Sequence, residues 1–291
     1  MEIQGKTAVV TGGASGIGRG IAHALAEKKA AVIVADLDEK RAVVVAGELE
    51  ATGVRALGVA CDVADEAQVE ALADRAWREF GRVDLLFNNA GAAGGAALLD
   101  SRAEDLAWLF SVNVFGLWYG CKAFGRRFRD QDTPAWIVNT GSEHSFGVAH
   151  LFAGFYTASK HAVLGLSDVL RRELPDHVGV SVLCPGLVDT EFWKAAERRP
   201  GQYGGPSDPQ AITRAIMARG TNPLDVGRRA VAGVEREDFY IVTHAHARTF
   251  AEERYREIMA AFESQAPAQP GDERYDVGTI IRDLLSKNTG V

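Results

Sequence analysis

The chain has 291 residues, 47% of them hydrophobic, and carries a formal net charge of −7 at pH 7. That supplies enough apolar material for one sizeable core, while an acidic balance without a basic cluster excludes a phosphate-tracking surface, so no nucleic-acid partner is expected. No apolar stretch is long enough to span a bilayer, and the opening MEIQGKTAVVTGG lacks a signal-peptide core, so a cytoplasmic, soluble protein without membrane contact is expected.

The first apolar run, residues 6–11, is short and β-branched, as suits a strand buried on both faces of a parallel sheet. Gly12, Ser15, Gly16, Ile17 and Gly18 come next in TGGASGIG, and a helical stretch then runs from about Ile17 to Lys28. Strand, glycine turn and helix in that order make the first unit of a dinucleotide-binding fold. The glycines permit a tight turn and a close approach of backbone to pyrophosphate, and the helix start offers unpaired N–H groups to the phosphates. Turn geometry alone could also require such glycines, and the second strand of the unit weighs against that plainer reading. This strand, residues 31–35, ends in Asp36, where a carboxylate can accept hydrogen bonds from an adenosine ribose. Asp36 should also repel the extra phosphate of NADP, and Leu37 offers no cation to neutralise it, so NAD is the expected cofactor. Helix capping is the plainer role for such an acid, but Asp38 is better placed for it.

Further strands are predicted near Val54 and Val83, and a helical region over 104–128. Arg126, Arg127 and Arg129 fall near its end, where a solvated face or a dipole partner explains them. The strand over 135–140 leads to Ser142 at the ligand-binding edge of the sheet. Tyr156 and Lys160, in GFYTASKHAVLGL, stand one helical turn apart on one face. An ordinary tyrosine, with a pKa of about 10, is too weak a base at neutral pH. A neighbouring ammonium favours the phenolate. Such a pair is common on exposed helices, but Ser142, able to hold a substrate oxygen while Tyr156 moves its proton, makes a catalytic set.

A strand near Val178 precedes a segment punctuated by Pro200, Gly201, Gly204, Gly205 and Pro206, which predicts a substrate lid over about 189–222, with a helical stretch from about Pro209 to Arg219. Phe192 and Trp193, with Phe146, Phe152 and Phe155 from the opposite rim, predict a largely apolar pocket, about half of them being expected in the core instead. His144, two residues after Ser142, could reach the substrate or lie exposed in a loop. The last strand is expected near Phe239, followed by a helical run over 248–262 and a C-terminal extension, residues 265–291, after a single domain over 1–264. Cys61, Cys121 and Cys184 lack metal-ligand spacing, and Cys61 and Cys184 should be buried. His244 and His246 have no carboxylate or cysteine to complete a set, so they should end a strand and cap a helix. No metal is expected. The seven apolar runs alternate with helical patterns, which predicts an α/β fold, a doubly wound parallel sheet of the Rossmann type.

In this order, TGGASGIG, Cys61-Asp62-Val63, Asn88-Asn89-Ala90-Gly91, Asn113, Ser142, Tyr156-Thr-Ala-Ser-Lys160 and Pro185-Gly186 resemble the short-chain dehydrogenases/reductases, in the single-domain branch with TGxxxGxG spacing. The resemblance covers roughly residues 6–190 and the strand near Phe239. It implies that Tyr156 is the acid/base, that Ser142 orients the substrate oxygen, and that Lys160 depresses the tyrosine pKa and bonds the nicotinamide ribose. Asn113 would hold a water in a proton relay. Asp62 and Val63 would meet the adenine, Asn89, Ala90 and Gly91 the adenosine-ribose side, and Pro185, Gly186, Val188 and Thr190 the nicotinamide. Ser142 precedes Tyr156 by one residue more than in many relatives, implying a small insertion over 143–155 in the substrate loop. The C-terminal part resembles dehydrogenases that oxidise benzylic alcohols of lignin-type aryl ethers.

The expected activity is therefore NAD(H)-dependent oxidation of a secondary alcohol or reduction of a ketone, on an apolar or aromatic small molecule. A 3-oxoacyl-thioester or steroid reductase is the alternative among enzymes, and a non-catalytic nucleotide-sensing module the alternative outside them. Finally, helices over 104–128 and 156–174 carry more apolar residues than one buried face requires, which predicts a homodimer or homotetramer.

Overall fold

The computed structural model describes residues 1–147, 150–207 and 211–288. They divide into two compact units, Met1–Ala247 and Arg248–Val291. The first begins β1 (Thr7–Thr11), α1 (Gly16–Glu27), β2 (Ala31–Asp36), α2 (Glu39–Glu50), β3 (Ala56–Ala60), α3 (Glu66–Phe80) and β4 (Leu85–Asn88). It continues through α4 (Ala103–Phe110), α5 (Leu117–Asp130), β5 (Ala135–Thr140), α6 (Gly154–Glu173), β6 (Val178–Cys184), α7 (Ala211–Met217), α8 (Pro223–Glu235) and β7 (Tyr240–Val242). All pairings are parallel, in the order β3-β2-β1-β4-β5-β6-β7. This is the doubly wound Rossmann-type sheet expected, with a strand at each of the seven predicted places.

The central strands read as unbroken apolar runs because successive side chains enter opposite cores. Ala8, Val10, Val32 and Val34 pack with Ile21, Leu25, Leu49 and Val231 on one side. Val9, Ile33 and Ala35 pack with Leu72, Phe124, Phe128 and Val163 on the other. Each residue thus loses its apolar surface to a helix layer, at roughly 25 cal/mol per Å². The chain order reverses between β1 and β4, and there the carboxyl ends of the strands open a crevice where ligands bind in such sheets. On one face, α1 and α8 approach at glycines: a Cβ on Gly20 would lie 2.2 Å from the Pro223 carbonyl oxygen.

The second unit begins within α9 (Ala247–Gln265), continues through a short turn at Asp272–Tyr275, and ends in α10 (Val277–Asn288). The compact first unit therefore closes at Ala247, ahead of the boundary expected after Ser264. Of α9 only Ala247 is buried, which is why the division falls at its start. Among the described residues, no helix is long and apolar enough to cross a membrane. The predicted helix start at Pro209 lies outside the described residues.

Candidate active site

The glycine turn is bound to the switch point by side chains at the ends of β1 and β4. Thr11 Oγ1 accepts the N–H groups of Asn89 and Ala90 at 3.0 and 3.1 Å. Asn89 Nδ2 donates to the Thr11 carbonyl at 3.1 Å. The Asn89 amide is thus spent in holding the turn, while Ala90 and Gly91 present backbone. Gly12 and Gly16 have positive φ (+61° and +50°), and a Cβ on Gly18 would lie 2.1 Å from the Gly12 carbonyl oxygen. Ser15 stands at the N-cap of α1 without a side-chain bond to the first turn, so those amides stay uncapped. A bare loop leading to uncapped helical amides fits a pyrophosphate. Ile17, by contrast, packs on the core.

Asp36 is buried at the end of β2. Its Oδ2 accepts from Ala14 N at 3.0 Å and its Oδ1 from Asp38 N at 3.1 Å, which fixes the carboxylate beside the glycine turn. Asp38 caps α2 through Arg41 N, as expected. Asp62 Oδ1 accepts from Ala64 N at 2.9 Å, and Val63 packs against the position of a Cβ on Gly116.

Ser142, Tyr156 and Lys160 converge. The turn Glu143–Phe146 follows β5, with Ser142 as its N-cap, and Ser145 Oγ ties that turn to α6 by donating to the Lys160 carbonyl at 2.8 Å. Ser145 therefore serves the scaffold, and it is the Ser142 side chain that acts on Tyr156. Burial pushes Tyr156 up to about 12, and the Ser142 hydroxyl opposes that rise. The expected lowering by Lys160 is not what governs the tyrosine: Lys160 Nζ donates to the Thr140 carbonyl at 2.8 Å and lies 5.7 Å from the ring centroid. Burial lowers Lys160 itself to about 8.

Between α4 and α5 the helix widens into a π turn over Ser111–Gly116, a distortion frequent at functional sites. Asn113 sits in it, its Oδ1 accepting from Ala92 N at 2.7 Å and its Nδ2 donating to the Ala92 carbonyl and Ser159 Oγ. Its side chain thus joins the loop after β4 to α6.

The remaining predicted residues divide. Pro185 and Gly186 lie next to the Ser142 turn, with Pro185 O accepting from Glu143 N and Gly186 N donating to His244 Nδ1. Val188 is buried, and Thr190 packs its methyl over Gly16. Phe192 is edge-on to Tyr156, centroids 6.2 Å apart. His144 is buried beside Tyr156, 5.1 Å between centroids, with Nδ1 2.8 Å from Thr157 Oγ1, so it is not an exposed loop residue. Phe152 is 64% exposed at φ +66°. Trp193, expected at the substrate, instead lines a cavity of about 990 Å³ with Ser15, Gly16, Arg41 and Arg214. Phe146 meets Tyr240 edge-on, and Phe155 packs against the α4 cluster of Trp108 and Leu109. The wall around Ser142 is more polar than predicted, because Glu143 and His144 are both buried there.

Two ion pairs hold the 190s segment, and neither was predicted. Glu191 meets Arg41 of α2 at 3.1 Å, and Arg199, only 7% exposed, meets Asp105 of α4 at 2.5 Å. Arg199 sits among Gly and Pro punctuation that reads as a solvated loop, so the sequence carried no signal of its burial.

A glycine turn at the switch point, facing serine, tyrosine and lysine across the crevice, is the arrangement of a dinucleotide-binding fold. Residues 6–201 match the short chain dehydrogenase family model, and the chain belongs to that family. A solved short-chain dehydrogenase/reductase from Burkholderia phymatum, in complex with NAD, is 35% identical, with TM-score 0.85 over 93% of this chain and 99% of that one. The 1-deoxy-11-beta-hydroxypentalenate dehydrogenase of Streptomyces exfoliatus is 32% identical over 94% of this chain and 95% of its own. The Mycobacterium tuberculosis (strain H37Rv) protein named Probable oxidoreductase EphD is 39% identical over 63% of this chain, a match spanning 31% of that protein's length.

Proposed function

We propose that the chain transfers hydride between NAD(H) and a secondary alcohol or ketone, with Ser142, Tyr156, Lys160 and Asn113 as its catalytic set. The observation that carries this is the convergence of Ser142 on Tyr156, whose pKa it lowers, with Lys160 one turn away. When bound, the nicotinamide supplies or takes the hydride. Ser142 orients the substrate oxygen, and Tyr156 gives or takes its proton. Lys160 holds a buried cation next to that proton, and Asn113 fixes the floor of the site through Ala92 and Ser159. Gly12, Ser15, Gly16 and Gly18 seat the pyrophosphate, and Asp36 holds the ribose and disfavours NADP.

The segment over 189–222 acts as the substrate lid, since Thr190 and Phe192 reach Gly16 and Tyr156. An apolar or aromatic substrate is supported by Phe192 on Tyr156 and by the C-terminal resemblance to benzylic alcohol dehydrogenases. A nucleotide-sensing module has no use for a serine, a tyrosine and a buried lysine brought together beside the crevice. The chain works as a homodimer or homotetramer through the apolar helix faces that Phe115, Trp118 and Val169 leave exposed.

The test is a screen of aryl and alicyclic secondary alcohols with NAD, read as NADH absorbance. Turnover by the wild type and loss of it in Tyr156→Phe are expected. Turnover that persists in that variant would remove the proposal.

A further inference from the structure

Behind Ser142 lies a cluster that hydride transfer does not use. Glu143 is 8% exposed and its Oε2 is out of contact with solvent. Oε1 lies 3.6 Å from His150 Nε2, and Oε2 lies 2.8 Å from His246 Nε2. That last contact is close but not aligned as a hydrogen bond, so Oε2 has no hydrogen-bond partner. The His144 ring stands edge-on to that of His150, centroids 5.0 Å apart. One ligand atom each from Glu143, His144 and His150 lie within 4.8 Å of one another.

A buried carboxylate oxygen without a donor is unfavourable unless a cation compensates it. His144, buried beside that carboxylate, offers a ring nitrogen within 4.8 Å of a Glu143 oxygen. Thr157 Oγ1 lies 2.8 Å from its Nδ1, which leaves Nε2 as the nitrogen free for a metal, in the manner of a metal-binding histidine oriented through its other nitrogen. Two imidazole nitrogens and one carboxylate suit zinc and its neighbours, whereas calcium and magnesium prefer oxygen alone. In a tetrahedral zinc site the ligand atoms lie about 3.3 Å apart. The Glu143–His150 separation is already near that, and the exposed His150 side chain can turn inward to complete the contraction.

We propose that Glu143, His144 and His150 bind a divalent transition metal of the zinc class, with His246 a fourth group within reach of the same carboxylate. Bound there, the metal would tie the turn carrying Ser142 to the segment entering α6, which carries Tyr156. This proposal departs from the expectation of no metal. Glu143 and His144 are neighbours in one turn while His150 lies beyond it, a spacing that reads as no metal motif in the sequence.

The experiment uses the full chain without a polyhistidine tag, treated with chelator and titrated with Co²⁺ under visible absorption and calorimetry. One equivalent should bind with a micromolar or tighter dissociation constant, show the strong bands of four-coordinate cobalt, and be displaced by Zn²⁺. Glu143→Gln and His150→Ala should each weaken binding about tenfold or more, and His150→Ala, at an exposed side chain, keeps the test independent of folding. His23→Ala, on α1, should leave binding unchanged. Absence of a single tight equivalent, or binding undiminished in both Glu143→Gln and His150→Ala, would overturn the proposal.

Discussion

Replacing Asp36 by alanine should erase most of the discrimination between NADH and NADPH. Its carboxylate is held by Ala14 N and Asp38 N, so it cannot swing away from a phosphate on a ribose bound at the end of β2. Two unit charges about 4 Å apart at an effective dielectric near 20 interact by about 4 kcal/mol. Screening at an open cleft reduces this, and about 2–3 kcal/mol remains, a preference on the order of 10²-fold at about 1.4 kcal/mol per decade. Asp36→Ala also leaves two backbone donors without their charged acceptor, at about 1–3 kcal/mol. Both cofactors should therefore bind more weakly, and the informative quantity is their ratio. Fluorescence titration with NADH and NADPH measures it without knowledge of the substrate. The wild-type ratio should favour NADH, and that of Asp36→Ala should fall below about tenfold. Tighter binding of NADPH by the wild type, or an unchanged ratio in the variant, would refute this reasoning.

Tyr156→Phe keeps the ring and removes the hydroxyl, so NADH should still bind in the same titration while turnover falls by about 10² or more. Burial takes Lys160 from its ordinary 10.5 to about 8, so between those values the unfolded chain binds more protons and stability should rise with pH, by up to about 3 kcal/mol. Urea unfolding of wild type and Lys160→Met at pH 7.5 and 10 isolates that rise, and equal pH dependence in the two would sink the assignment. A Cβ at Gly20 would sit 2.2 Å from the Pro223 carbonyl oxygen, so Gly20→Ala should destabilise by about 1–3 kcal/mol or more, seen as a lowered thermal midpoint. Light scattering at micromolar concentration should give a dimer or larger, and a species near 31.3 kDa would exclude the proposed assembly.

Features that depend on neighbours along the chain were legible in the sequence. The strands were readable because alternate side chains such as Val9 and Val10 are both buried, so each run is apolar without interruption. Tyr156 and Lys160 were readable because one helical turn sets them on a common face, and the capping role of Asp38 because its bond to Arg41 N is local. The aromatic pocket was misjudged for the opposite reason. Phe146 and Phe155 are near each other in sequence, yet one goes to Tyr240 and the other to Trp108 and Leu109. Those partners are set by parallel crossovers that composition does not reveal. The same holds for Arg199 with Asp105 and for His246 with Glu143, where residues from distant segments meet only after β5, β6 and β7 are in register. The proposed catalytic set is legible because two of its members share one helix, while the polar wall around it is not, because Glu143 acquires its surroundings from three separate returns of the chain to the same sheet edge.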